Sequence, residues 1–306
     1  MYKRLLERPL QGNKSFFLFG PRGVGKTSWV RSTLPQSLYI DLLSGDTYLE
    51  LFSRPSKLET YIPKNYSDWI IIDEVQRIPS LLNEVHRLIE NKKHKFILTG
   101  SSARSLKKRG VNLLAGRALS FKMYPLTALE LKERFSLSFS LKWGHLPSVF
   151  SLKDDSLIES YLESYTQTYL REEVLQEGLT RNIGAFSRFL QTASFSQGSV
   201  VNMAEIARES NIHRKVIEDY FQILEDTLIG FMLPAWTKSI KRKAIGTAKF
   251  YLFDIGVRNQ IAQIKSLEPH SDIYGQAFEH FIATELRTYL SYNRNNSGLF
   301  YWQAKN

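Results

Sequence analysis

The chain has no cysteine, which excludes disulfides and thiolate-bound zinc and fits a reducing compartment. No run approaches the ~18 apolar residues that a membrane-spanning helix needs. The opening Met1-Tyr2-Lys3-Arg4-Leu5-Leu6-Glu7-Arg8 is charged and lacks the apolar centre of a secretory signal. These absences point to a cytoplasmic protein without a membrane partner. Six histidines fall at no metal-ligand spacing, so there is no case for a transition-metal site. Internal repeats and low-complexity tracts are also missing.

What is present is a chain of 306 residues, long enough for two or three domains. A hydrophobic content of 43% and an aromatic content of 13% are ample for real cores. Lys+Arg number 41 against 30 Asp+Glu, a net charge of +11. Such a balance favours a polyanionic partner, of which a nucleotide accounts for only part. A merely basic, solvated surface is the alternative.

The residues Gly20-Pro21-Arg22-Gly23-Val24-Gly25-Lys26-Thr27 fit G-x-x-x-x-G-K-[ST], a phosphate-cradling loop. Before them, Ser15–Phe19 reads as a buried strand; after them, Ser28-Trp29-Val30-Arg31 continues without a breaker into a helix. A strand ending in a glycine-rich turn aims backbone N–H groups and the positive helix end at one point, where a polyphosphate fits. Gly20, Gly23 and Gly25 permit backbone angles and close approach that a Cβ would block. Lys26 is placed to reach the β/γ-phosphates and the Thr27 hydroxyl to ligate Mg²⁺, with Ser28 completing the loop.

The strand Trp69-Ile70-Ile71-Ile72 runs into Asp73-Glu74. Asp73 is expected to hold the Mg²⁺ shell and Glu74 to act as base for the attacking water. On an extended backbone the two side chains point to opposite sides, one toward metal and one toward water. Further strands are expected at Ser37–Asp41, Lys95–Ser102 and Ala118–Met123, with helices near Tyr48–Leu58 and after Pro79-Ser80, where Leu81, Leu82, Val85, Leu88 and Ile89 recur at helical spacing. This alternation indicates a parallel sheet covered on both faces. The fourth strand is expected beside the second. At its end stand Thr99, Ser101 and Ser102, of which Ser101 is the candidate to orient water or sense the γ-phosphate; the alternative is plain turn chemistry. Arg117, in Leu114-Ala115-Gly116-Arg117, is the candidate arginine finger for a neighbouring subunit, which would require a homo-oligomer; Arg104 is the second choice. No Asn-Lys-x-Asp guanine-reading motif occurs, which favours ATP.

Beyond about residue 145 the pattern changes. Asp155–Val174 and Arg181–Ser194 read as helices. Asn202 precedes 203–209 with Glu205 at the capping-box offset. After Ser210-Asn211-Ile212, His213–Asp226 places Val216, Ile217, Tyr220, Phe221 and Leu224 on one face, which makes a helix-turn-helix. Strands at Leu228–Leu233 and Phe250–Phe253 would form a wing. His213, Arg214 and Lys215 open the second helix, and Lys238, Lys241, Arg242, Lys243 and Lys249 lie on the wing, where contact with double-stranded DNA needs only charge. Glu218, Asp219, Glu225 and Asp226 make the same helix acidic, so docking to protein and simple packing stay open. An amphipathic helix at Gly275–Leu290 and a strand start at Leu299–Trp302 follow.

The loop motif, Ile-Ile-Ile-Asp-Glu-Val-Gln, Leu-Thr-Gly-Ser-Ser, Leu-Ala-Gly-Arg, Tyr124-Pro125-Leu126 through Glu130, and Tyr169-Leu170-Arg171-Glu172-Glu173 together resemble a group of prokaryotic AAA-type ATPases. The resemblance implies an ATPase domain, a winged helix and a C-terminal domain similar to PD-(D/E)xK nucleases. It assigns Lys26 and Thr27 to phosphate and Mg²⁺, Asp73 to metal, Glu74 to water, Ser101 to the sensor and Arg117 to the Gly-Arg position. Of the nuclease-like acids only Glu279 has a match, and one carboxylate cannot hold the metals of phosphodiester cleavage. Nuclease activity is therefore not expected, and the C-terminal module is read as truncated. The expected fold is α/β, a P-loop NTPase parallel sheet, then a helical linker, a winged helix and an incomplete α/β module. The expected domains are 1–145 (ATPase), 146–194 (helical lid), 195–256 (winged helix) and 257–306. The function read from the chain is a Mg²⁺-dependent ATPase coupled to DNA or a protein partner. The alternative is a DNA-binding regulator or interaction protein that keeps ATP as a ligand with little turnover.

Overall fold

A computed structural model describes residues 2–104, 106, 114, 116–169, 182–236, 248–294 and 297–302. The chain divides into two compact units, Arg4–Tyr124 and Pro125–Asn306 together with Met1–Lys3.

The first unit is an α/β sheet of five parallel strands: β1 (Ser15–Phe19), β2 (Leu38–Asp41), β3 (Trp69–Asp73), β4 (Lys95–Gly100) and β5 (Ala118–Lys122). Their order is β2-β3-β4-β1-β5. Helices α1 (Lys26–Thr33), α2 (Gly45–Ser53) and α3 (Leu81–Lys92) flank it. The fourth strand does not lie beside the second. It sits between β1 and β3, with Leu98 level with both Phe17 and Ile72. The reason is in the side chains. Phe96, Ile97 and Leu98 are apolar on both faces and are fully buried, as an inner parallel strand requires. Leu38-Tyr39-Ile40-Asp41 is only partly buried and forms the edge. α2 begins at Gly45, ahead of the expected Tyr48, and ends at Ser53 because Pro55 supplies no N–H; a 3₁₀ segment, Pro55–Tyr61, follows. On α3, Leu81, Leu82, Val85 and Leu88 are buried as their spacing predicts. The charged N-terminal segment takes part in the fold. The buried Arg4 guanidinium donates to the Val24 carbonyl at 2.8 Å, bracing the loop after β1.

The second unit is mainly helical: α4 (Ala128–Leu131), α5 (Leu137–Trp143), α6 (Asp155–Ser164), α7 (Ile183–Phe195), α8 (Met203–Ser210), α9 (Arg214–Asp226), α10 (Ile255–Ile261) and α11 (Asp272–Tyr292), with an antiparallel pair, β6 (Gly230–Pro234) and β7 (Ala248–Leu252). α6 runs on as a π turn, Tyr165–Tyr169; residues 170–181, on which part of two expected helices falls, lie outside the described residues. Asn202 caps α8 by accepting the Glu205 N–H at 3.2 Å, and His213 caps α9. The buried face of α9 carries Ile217, Tyr220, Phe221, Ile223 and Leu224. Phe221 meets Phe189 of α7 and Phe250 of β7, each edge-on at 4.9 Å between ring centres. Val200 bridges Lys249 of β7, and Tyr301 makes a parallel bridge with Ala235.

Residues 125–145, grouped with the first domain from sequence, pack within this second unit. The Asn259 amide donates to the Leu141 and Lys142 carbonyls, both at 2.9 Å. The buried Asp254 carboxylate accepts the His145 N–H at 2.7 Å and the Val257 N–H at 3.1 Å, capping α10. Gly144, at φ +73°, lets that carboxylate approach; a Cβ there would stand 2.2 Å from its oxygen. Burial pushes the Asp254 carboxyl up to about 6.

His280 is fully buried on α11. Its Nε2–H donates to the Leu252 carbonyl at 2.7 Å, and Nδ1 accepts from the Gln197 amide. Burial holds it neutral and takes its pKa down to about 3, with Arg258 adding to the effect. The folded value lies below the unfolded one, so this histidine's contribution to stability is complete above pH ~6.5 and is lost as pH falls. Between pH 7 and pH 5 the loss is about 2 kcal/mol. Urea titrations at the two pH values should show a smaller acid penalty in His280→Gln than in the parent, by about that amount.

Candidate functional site

The site assembles where β1, β3 and β4 end. Gly20 continues β1, its N–H donating to the Gly100 carbonyl of β4 at 3.2 Å. Gly25 stands at φ +94° as the N-cap of α1, an angle that a side chain resists. The turn leaves Arg22 and Gly23 exposed and buries Val24. Lys26 is 6% exposed, and its ammonium donates to the loop carbonyls of Gly20 at 2.6 Å and Pro21 at 3.1 Å. Ser28 lies exposed in the first turn of α1.

Asp73, the last residue of β3, is buried. Three hydroxyls donate to its carboxylate. Thr27 reaches Oδ2 at 2.8 Å, Tyr39 of β2 reaches the same oxygen, and Thr99 of β4 reaches Oδ1. The Asp73 charge and burial together raise the Tyr39 phenol well above its ordinary value, burial being the larger cause. The Arg31 guanidinium lies over the Tyr39 ring at 3.9 Å.

Glu74 departs from expectation in one respect. Its backbone is not extended: β3 stops at Asp73, and Glu74 turns at φ 60°, ψ 46° into a 3₁₀ turn, Val75–Arg77. A non-glycine residue in this left-handed region costs on the order of 1–3 kcal/mol and persists only where its surroundings enforce it. Here the Glu74 N–H donates to Thr99 Oγ1 at 3.2 Å, and its carboxylate accepts from the Gln76 amide.

The structure therefore brings Thr27 and Asp73 into direct contact, with Lys26 and Glu74 one residue from them. Ser101 lies just past β4, partly exposed, and the buried Ser102 accepts the Arg104 N–H at 3.2 Å. Arg117 is ion-paired with Glu90 of α3, which holds that carboxyl below its usual range. Lys249, read as a wing cation, is ion-paired at 2.6 Å with Glu279, which also accepts from Tyr251; Lys238, Lys241, Arg242 and Lys243 lie outside the described residues. Tyr39 and Gln76 were missed from sequence. Tyr39 is level with Ile71, so its side chain is diagonal to Asp73; strand order was needed to see it. Gln76 stands two residues after Glu74, a spacing that could have drawn attention to it.

A hydroxyl and a carboxylate are hard oxygen donors that suit Mg²⁺, which takes few protein ligands and completes its shell with water and phosphate. The donors present fit that ion.

Residues 12–132 match the AAA domain family, and residues 134–268 match a domain of unknown function (DUF8612). The chain is 26% identical over 260 residues to an uncharacterized protein of Methanocaldococcus jannaschii, covering 78% of this chain and 56% of that protein. It is 21% identical over 235 residues to an uncharacterized protein of Haemophilus influenzae, covering 71% and 57%. It thus spans little more than half the length of these relatives. A solved Walker-type ATPase of Pyrococcus abyssi is similar in fold, with a TM-score of 0.55 and 16% identity over 84% of this chain and 93% of that one. The first unit has the P-loop NTPase fold and sequence similarity to AAA domains. No helix among the described residues is long and apolar enough to cross a membrane.

Tyr39→Phe removes one donor from the buried Asp73 carboxylate while keeping the ring beneath Arg31. A hydrogen bond to a charged group is worth about 1.5–3 kcal/mol. With Thr27 and Thr99 still donating, urea denaturation without nucleotide should show a loss of about 1–2 kcal/mol.

Proposed function

We propose that the protein is a Mg²⁺-dependent AAA-type ATP hydrolase whose nucleotide state is coupled to a winged helix that docks DNA or a protein. The observation that carries this reading is the 2.8 Å hydrogen bond from Thr27 to Asp73, which joins the loop after β1 to the acidic end of β3. Thr27 and Asp73 would hold the ion, which when bound neutralises charge on the β- and γ-phosphate oxygens. Lys26 would exchange its loop carbonyls for the same phosphates, and the N–H groups of the loop and the first turn of α1 would bind the remaining oxygens. Glu74 would take the proton of the attacking water as its oxygen bonds to the γ-phosphorus and the bond to the β-phosphate oxygen breaks. Ser101 would sense the γ-phosphate from the end of β4. Arg117 would act on a neighbouring subunit after leaving Glu90, which makes a homo-oligomer part of the proposal.

The winged helix is proposed for residues 195–256, with α8 and α9 followed by β6 and β7. Its partner is the open element. The +11 charge favours DNA, whereas Arg214 pairs with Glu218 at 3.1 Å on the exposed face of α9, which favours protein. The second reading is a nucleotide-binding switch, a DNA-binding regulator or interaction protein that keeps ATP as a ligand with little turnover.

Steady-state ATP hydrolysis decides between them. Under the first reading Glu74→Gln lowers turnover by roughly 10²–10⁴-fold and keeps ATP affinity. Negligible turnover in the parent itself supports the switch. Hydrolysis that rises with double-stranded DNA, and loses that rise at higher salt, supports DNA as partner. A rate indifferent to DNA assigns the winged helix to protein docking.

A further inference from the structure

The side chain that holds Glu74 is itself held in an uncommon way. Gln76 Nε2 donates to the Glu74 carboxylate. An ionised carboxylate only accepts, so the amide must turn its NH₂ toward Glu74 and its oxygen away. That oxygen is buried and has no hydrogen-bond partner among the described residues. It lies over Gly100 at the end of β4, where an ideal Cβ would stand only 2.5 Å from it. An unpaired buried acceptor is unfavourable to folding, as is the left-handed backbone of Glu74 two residues earlier. Two such features side by side, each fixing the same acid, mark a position shaped by something other than stability.

The contacts also form a closed circuit. Gly100, the seat of Gln76, offers its carbonyl to the Gly20 N–H at 3.2 Å. Thr99, its neighbour, accepts the Glu74 N–H and donates to Asp73. The end of β4 thereby fixes the acid twice, through its backbone at Thr99 and through its side chain by way of Gln76. The same residues fix the start of the phosphate loop.

We infer that Gln76, seated on Gly100, is the positioning residue for Glu74, and that Gly100 is required as glycine to provide the seat. The inference rests on Glu74 being the base of the proposed hydrolysis. Gln76 touches the base and not the reacting atoms, so it affects the rate of the chemical step and leaves nucleotide binding alone. A base displaced by about 1 Å loses up to about 100-fold.

Two changes approach the same contact from opposite sides. Gln76→Leu keeps the bulk and removes both the donor and the unpaired acceptor. Gly100→Ala leaves Gln76 intact but places a methyl where its oxygen lies. Gly100 is not in the left-handed region, so the backbone tolerates alanine and the Gln76 side chain must swing. Each variant should lower kcat roughly 10–100-fold with KM and the affinity for a fluorescent N-methylanthraniloyl ATP unchanged. The melting temperature of Gln76→Leu without nucleotide should equal or exceed that of the parent. The double variant should be no slower than Gln76→Leu alone, because both act through one contact. Unchanged or faster turnover in Gln76→Leu overturns the inference, as does additive loss in the double variant. Glu74→Gln, run in parallel, separates the two levels. If it hydrolyses ATP like the parent, the role of Glu74 is wrong. If it is inactive and Gln76→Leu is not impaired, only the role of Gln76 is wrong.

Discussion

The first unit is organised around a single buried anion. Asp73 is 2% exposed, and a carboxylate taken from water must be compensated by hydrogen bonds or it neutralises or unfolds its surroundings. The compensation comes from three hydroxyls on three different segments, Thr27 on α1, Tyr39 on β2 and Thr99 on β4. No two are close in sequence, so the acid is satisfied only when strand order, register and the turn after β1 are all correct. The central position of β4 follows the same logic. Its apolar residues need two covered faces, and its polar terminus is needed between the loop and β3.

The second unit satisfies its polar interior differently. Arg258 is 2% exposed and donates to neutral oxygens, the Ser194 carbonyl at 3.3 Å and the Asn259 and Gln276 amides at 3.2 and 3.1 Å. Burial lowers its guanidinium to about 10. Asp254 is held by backbone N–H groups, and His280 by a carbonyl and an amide. Dipoles therefore provide most of the compensation, which ties α7, α10 and α11 together through directional contacts that an apolar core lacks. Such networks specify one arrangement because each partly satisfied alternative is costly.

Much of this was legible in the sequence, and the limit has a physical cause. The turn between β1 and α1 was readable because its glycines lie in one short stretch and their backbone demands are local. The Asn202 cap and the apolar face of α3 were readable for the same reason. What escaped depends on neighbours distant in the chain. The place of β4 is a matter of pairing between strands, and Tyr39 gains meaning only from its diagonal position to Asp73. The turn at Glu74 broke the assumption that an acidic pair after a strand stays extended. Lys249 looked like a free cation until Glu279, thirty residues on, was found beside it. The division after Tyr124 was hidden because 125–145 make their partners in Asp254 and Asn259, more than a hundred residues later.

These contacts also constrain how the proposed site would respond to a ligand. Lys26 is not idle in the structure, since its ammonium is bound to the Gly20 and Pro21 carbonyls. Phosphate binding would exchange those bonds for others, so the gain is the difference between two charge-assisted sets and not the full strength of one. Thr27 is likewise committed to Asp73 before any ion arrives. An exchange of this kind favours a ligand with enough charge to outbid several carbonyls at once, as a triphosphate has and a single phosphate lacks. It also means that the loop keeps its shape without ligand, because the ammonium that would bind phosphate meanwhile binds the loop. In the proposed site, selectivity for polyphosphate and rigidity of the cradle would then have one origin in the same buried lysine.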